Sequence, residues 1–166
     1  MPWGDIMSEK LVVGISDWKI CRSPDSLITY ALGSCVGICL YDKVTRIAGL
    51  SHIMLPDSTA ITGGSTTRPK FADTAIVDML NEMKAQGASP SGITAKIAGG
   101  AVMFKSASAQ FNIGERNVEA VRKILGQLSI PIIAADTGLN YGRTVTFFAE
   151  NGNLEINSAA KGKSII

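Results

Sequence analysis

The run CVGICLYDKVTRIAGLSHIML, residues 35–55, decides how this chain is read. Two apolar segments, 35–41 and 47–55, flank Asp42-Lys43-Val44-Thr45, a polar connection of hairpin length. The pattern predicts a β-hairpin. A symmetric connection centred between Lys43 and Val44 sets Cys35 directly opposite His52. Directly opposed residues share a sheet face with Cβ atoms about 4.5 to 5.5 Å apart, so on this register a thiol and an imidazole meet. A slip of one residue sends them to opposite faces.

Toward the N-terminus, residues 11–15 and 27–32 are short apolar runs bounded by Gly, Ser, Pro and Asp, as expected of strands in a partly buried sheet. On the other side, residues 57–70 (DSTAITGGSTTRPK) show no periodicity and are expected to form a mobile surface loop. Its Gly63-Gly64-Ser65 lacks the lysine of a phosphate-cradling loop. Ala72, Ala75, Ile76, Met79, Leu80 and Met83 recur at helical spacing, with Gly87 where a C-terminal cap falls. A second helix follows Asn112, an N-cap with Glu115 three residues on, and carries Val118, Val121 and Leu125 on one face. Residues 93–98, 130–135 and 144–149 are strand-like, and Asn151-Gly152 signals a type I′ turn into 154–156. A doubly wound parallel sheet needs a helix after nearly every strand, and this chain offers two. The expected fold is α/β of the α+β kind: a β-rich sandwich of mixed sheets with about two to three outer helices. It is read as a single domain over 1–166, with a core at about 12–156 and flexible ends.

A chain of 166 residues buries roughly two thirds of its unfolded surface without needing disulfides. Its 16 basic and 14 acidic residues are spread along the chain with no basic stripe to follow phosphates, so no nucleic-acid partner is expected. No stretch approaches the ~20 apolar residues of a membrane span, and residues 1–10 contain no signal-type apolar run. No membrane insertion is expected, and the chain reads as cytoplasmic. Cys21, Cys35 and Cys39 are an odd set without secretory context, which leaves packing, metal binding or catalysis for them. Any chemistry that needs an imidazole falls to His52, the single histidine.

A free thiol with pKa near ~8.5 is mostly protonated at neutral pH, and a neighbouring imidazole stabilises its thiolate as an ion pair. The same ring then protonates a leaving amine and activates water. Packing is the other reading: most free cysteines are small buried hydrophobes, Cys35 adjoins Val36, and His52 sits among Leu50, Ile53 and Met54. Spacing alone leaves both open. A Cys3His zinc site needs Cys35 and Cys39 to converge, yet along an extended strand they stand about 13 Å apart. No metal is expected, and Cys21 and Cys39 read as packing residues.

Six motifs follow one another: Gly33-Ser34-Cys35-Val36, Ser51-His52-Ile53-Met54-Leu55-Pro56, Phe71-Ala72-Asp73, Lys96-Ile97-Ala98-Gly99-Gly100-Ala101, Asn112-Ile113-Gly114-Glu115-Arg116-Asn117 and Ala135-Asp136-Thr137-Gly138. With these, over about 12–156, the chain resembles the CheD family of chemoreceptor glutamine deamidases. The resemblance implies Cys35 as nucleophile, His52 as base and Thr29 as the residue completing the site, its hydroxyl orienting the ring. Backbone N–H groups at Ser34 and Cys35 would hold the oxyanion. Thr29 precedes Cys35 by six residues, about 20 Å along a straight strand, so the chain is expected to turn back at Gly33-Ser34.

The resemblance further implies hydrolysis of receptor glutamines to glutamate through a cysteine thioester, with release of ammonia and no cofactor. The implied partners are the cytoplasmic helical region of chemoreceptors and a CheC-like phosphatase. The alternative is a regulatory binding module that docks to that phosphatase with little turnover. Gly99, Gly100, Phe104 and Gly138 are expected at the substrate or partner surface, although tight packing explains the glycines equally well. Arg116 and Arg143 are further candidates for binding acidic groups. The family carries a second glycine where this chain has Leu139, which bears on the shape of the rim.

Overall fold

The computed structural model describes residues 7–60, 67–103 and 112–166. Two mixed five-stranded sheets pack face to face. The first has the order β1 (Lys10–Val12), β3 (Ser26–Leu32), β8 (Arg143–Phe148), β9 (Leu154–Ser158), β10 (Gly162–Ile165). The second has the order β2 (Asp17–Arg22), β5 (Ile47–Ile53), β4 (Val36–Asp42), β6 (Ile93–Gly99), β7 (Ile132–Thr137). Helices α1 (Ala72–Ala85) and α2 (Ile113–Gln127) cover the outer face of the second sheet. The molecule is thus an α+β sandwich of mixed sheets with two outer helices. Among the named strands, β1 pairs in parallel with β3 and β6 with β7, the latter two joined through α2.

The hairpin of β4 and β5 lies at the centre of the second sheet and is buried on both faces. Val36, Ile38, Leu40, Ile47 and Ile53 face the helices, while Cys39, Tyr41, Ala48 and Leu50 face the other sheet. Side chains alternate along a strand, so Cys35 and His52 both belong to the inter-sheet side. On the helix side Gly49 admits α1: a Cβ there would lie 2.9 Å from Met79 Sδ. Burial of side chains such as Ile76, Met79 and Met83 in that layer contributes about 1.5–3 kcal/mol each.

The register differs from the sequence expectation by two residues. Gly37 stands opposite His52, and Val36 opposite Ile53. The connection spans 43–46 and closes with Arg46 in the left-handed region at φ 57, its N–H donating to the Asp42 carbonyl at 2.7 Å. The Asp42 carboxylate holds the turn by accepting from the Val44 N–H at 3.1 Å and the Thr45 hydroxyl at 2.9 Å. A two-residue shift preserves the faces, so Cys35 becomes a diagonal neighbour of His52 on the same side instead of a direct one. The hairpin of β8 and β9 closes in the same manner. There Gly152 donates to the Phe148 carbonyl at 2.8 Å and has φ 76, while Asn151 stays out of the left-handed region that a type I′ turn demands of both residues.

Two strands lay outside the expectation. β2 pairs with β5 along its whole length, and β10 continues the first sheet beyond 156. Of the expected run 11–15, only Leu11 and Val12 are strand, because Ser16 turns the chain at φ 59. The expected loop 57–70 includes residues 61–66, which lie outside the described residues.

Candidate active site

Thr29 comes from β3 of one sheet and His52 from β5 of the other, and both are fully buried. Their side chains meet across the inter-sheet space, with Thr29 Oγ1 2.7 Å from His52 Nδ1. The same Oγ1 lies 2.7 Å from the Val13 carbonyl, which can only accept. A hydroxyl has one proton, so satisfying both contacts requires Thr29 to donate to Val13 and accept from His52 Nδ1–H. The tautomer is thereby fixed with the lone pair on Nε2. That atom is buried and has no hydrogen-bond partner among the described residues, Cys35 included.

Replacing Thr29 with valine keeps the shape and removes the hydroxyl, leaving Nδ1–H without its acceptor and the Val13 carbonyl without its donor. We expect a loss of about 1–3 kcal/mol by chemical denaturation, with Thr29→Ser recovering most of it.

The chain reverses between Thr29 and Cys35 earlier than Gly33-Ser34. Ala31 adopts φ 61, and the β3–β8 ladder skips from Thr29 to Leu32 in a bulge. The segment 33–35 then crosses from the first sheet to the second and delivers Cys35 half-buried at the start of β4. Neither the Ser34 nor the Cys35 N–H donates to a backbone carbonyl among the described residues.

Burial pushes the His52 imidazole down to about 4. It raises the Cys35 thiol, with the cysteine's own N–H pulling weakly the other way. Both shifts favour the uncharged forms, so the resting pair is thiol and imidazole and not the ion pair that proximity alone suggested. This gives a stability prediction with a definite sign. The unfolded ring takes its proton near 6.5 and the folded ring only near 4, so stability is full above 6.5 and declines as pH falls through that interval. Denaturation of the wild type from pH 6.5 to 4 should show this loss, on the order of 3 kcal/mol for the single group, and His52→Gln should lack it.

The expected rim residues divide. Gly99, at φ 105, is a close-approach site: a Cβ would lie 2.3 Å from the Cys35 carbonyl oxygen. Gly100, at φ 67, is pressed against α2, where a Cβ would meet Val118 Cγ2 at 2.3 Å. Gly138 has open space around it, and its N–H donates to the Gly99 carbonyl at 2.9 Å. Leu139 follows at φ 60, so it holds the left-handed conformation a glycine would take, at a cost of about 1 kcal/mol. Phe104 lies outside the described residues. Arg116 is exposed.

Arg143 is not a surface group. It is fully buried, pairs through Nε with Asp136 at 3.3 Å across the two sheets, and stacks on Tyr141 at 4.5 Å. Sequence reasoning also missed Asn117 as a functional candidate. It is fully buried on α2 and donates to the Ser34 and Met54 carbonyls, both at 2.9 Å. The available signal was a polar residue on the helix stripe Gly114, Asn117, Val121, Leu125. Among the described residues no three His, Cys, Asp or Glu side chains converge as a metal site requires, and no helix is long and apolar enough to cross a membrane.

Fold and site together define a mixed-sheet α+β sandwich with a cysteine at one end of the inter-sheet space, on the same side as a threonine-bound histidine. A Neisseria meningitidis protein of family-model DUF152 shares the architecture, with TM-score 0.51 at 11% identity over 93% of this chain and 73% of that one. Residues 54–158 match the family model described as CheD chemotactic sensory transduction. The chain is 48% identical over 157 residues to "Probable chemoreceptor glutamine deamidase CheD" of Lachnoclostridium phytofermentans, covering 93% of this chain and 97% of the relative. It is 49% identical over 161 residues to the protein of the same description from Caldanaerobacter subterraneus, covering 96% and 99%. To "Chemoreceptor glutamine deamidase CheD" of Halalkalibacterium halodurans it is 44% identical over 162 residues, covering 96% and 100%. The chain belongs to the CheD family.

Proposed function

We propose that this chain hydrolyses the primary amide of glutamine side chains on methyl-accepting chemoreceptors, giving glutamate and ammonia through a thioester on Cys35. The observation that carries the reading is the Thr29–His52 hydrogen bond. It commits the Nδ1 proton and leaves a neutral Nε2 as proton acceptor on the same sheet face as a half-buried thiol. The names of the relatives supply the substrate.

In acylation Cys35 Sγ bonds to the amide carbon, the carbonyl π pair moves to oxygen, and the thiol proton passes to His52 Nε2. The Ser34 and Cys35 N–H groups face the developing oxyanion. The imidazolium then gives its proton to the leaving nitrogen and ammonia departs. Water attacks the thioester with His52 again as base, the glutamate carboxyl leaves, and the thiol is restored. The sequence calls on protein, amide and water alone. A regulatory module that only docks to a CheC-type phosphatase gives no purpose to a buried histidine held in one tautomer.

The test is incubation of purified protein with a helical cytoplasmic receptor fragment, followed by peptide mass spectrometry. Selected glutamines should gain about 1 Da, with ammonia released in equal amount. Unchanged glutamines after prolonged incubation, with the protein folded, would remove the substrate assignment.

A further inference from the structure

Three consecutive carbonyls at the nucleophile are gripped from outside the loop. Gly33 C=O accepts from the Ala101 N–H and Cys35 C=O from the Gly100 N–H, both at 2.8 Å. Ser34 C=O, between them, accepts from Asn117 Nδ2 at 2.9 Å. A trans peptide unit is planar, with its C=O and N–H pointing in opposite directions. The hold on Gly33 C=O therefore aims the Ser34 N–H, and the hold on Ser34 C=O aims the Cys35 N–H. Two of these grips are backbone and independent of side-chain identity; the third depends on Asn117.

The second Nδ2 proton of Asn117 goes to the Met54 carbonyl at 2.9 Å, one residue past the end of β5. One amide thus ties the nucleophile loop to the strand bearing His52. Both partners are acceptors, so the amide orientation is fixed; a flipped group would set oxygen against oxygen. The consequence is that Oδ1 is buried with no partner among the described residues. An unpaired buried amide oxygen is destabilising, and an apolar residue on the same stripe, as at Val121 and Leu125, would avoid it.

We propose that Asn117 is the positioning residue of the oxyanion site, holding the Ser34–Cys35 peptide so that its N–H points at the oxygen that becomes negative when Cys35 is acylated. This rests on the cysteine-hydrolase reading above, and its test does not require the receptor. With p-nitrophenyl acetate, Cys35 Sγ bonds to the acetyl carbon through a tetrahedral oxyanion, the thiol proton passes to His52, and p-nitrophenolate leaves with the bonding pair. With iodoacetamide, the same sulfur displaces iodide at a saturated carbon, and no oxyanion forms.

Asn117→Ala should slow the p-nitrophenolate burst about 10- to 100-fold, somewhat less than loss of a whole oxyanion donor. It should change Cys35 alkylation by less than about twofold, since thiolate fraction and access are untouched. Asn117→Leu fills the same space, removes both donors together with the unpaired oxygen, and serves where the alanine variant does not fold. An equal fall in both rates would mark a merely structural residue and overturn the proposal, as would an unchanged burst or the absence of a burst in the wild type. If ester acylation depends on Asn117 while receptor glutamines stay unchanged, the positioning role stands and the receptor assignment alone fails.

Discussion

Cys35→Ala abolishes conversion of receptor glutamines, whereas Cys39→Ala retains it: this is the largest effect expected. No other group on that part of the inter-sheet face can form the thioester, and the methyl group left behind fills most of the space, so the variant should fold with a cost of about 1 kcal/mol. Cys39 is fully buried in the inter-sheet core, where burial raises its thiol well above the usual range against the pull of Lys96. Cys21, likewise buried and nearer Asp25, is pushed up to about 12. Only Cys35 is even partly exposed, so it should be the first alkylated by iodoacetamide in the folded protein. A dead Cys39→Ala beside an active Cys35→Ala would reverse the assignment.

His52→Gln should lower kcat by about 10² to 10⁴, the usual worth of a positioned acid-base group. Glutamine retains an amide N–H that Thr29 can accept, so packing and orientation suffer less than with alanine, but it has no nitrogen lone pair to take the thiol proton. The pH dependence carries the same point. Burial holds the ring down to about 4, so the base remains available through mild acid and is lost only as pH falls through that value. The wild-type kcat/KM measured from pH 8 down to 5 should therefore show no acid limb near 6.5, the ordinary histidine value. A limb at that value would mean that His52 is solvated, and not buried, when it acts as the base.

Much of the architecture was legible because the strongest signals are periodic. The central hairpin, both helices and the α+β balance follow from apolar spacing, and period-two alternation put Cys35 and His52 on one face even though their register was displaced. The displacement arose at Arg46, a non-glycine residue in the left-handed region, which no turn residue in Asp42-Lys43-Val44-Thr45 announces. β2 escaped because Asp17, Lys19 and Arg22 break its apolar run, although Trp18 and Ile20 alternate toward the helix side as a strand should. β10, Gly-Lys-Ser-Ile, is exposed along its length and has no buried face to reveal it. The site was less legible than the fold. Thr29 reaches His52 from the opposite sheet, and long-range juxtaposition leaves no trace in local spacing; only the family resemblance pointed to it. Asn117 could have been found, since a polar residue on a buried helix stripe asks for a reason.

The central claim is covalent catalysis at Cys35, and the most direct test is to acid-quench the protein during turnover of a receptor fragment and measure intact mass. The predicted result is a species equal in mass to protein plus fragment less one ammonia, mapped by digestion to Cys35 and absent from Cys35→Ala. Glutamine turnover by the wild type at full rate, with no such adduct at any quench time and with Cys35→Ala equally active, would contradict it.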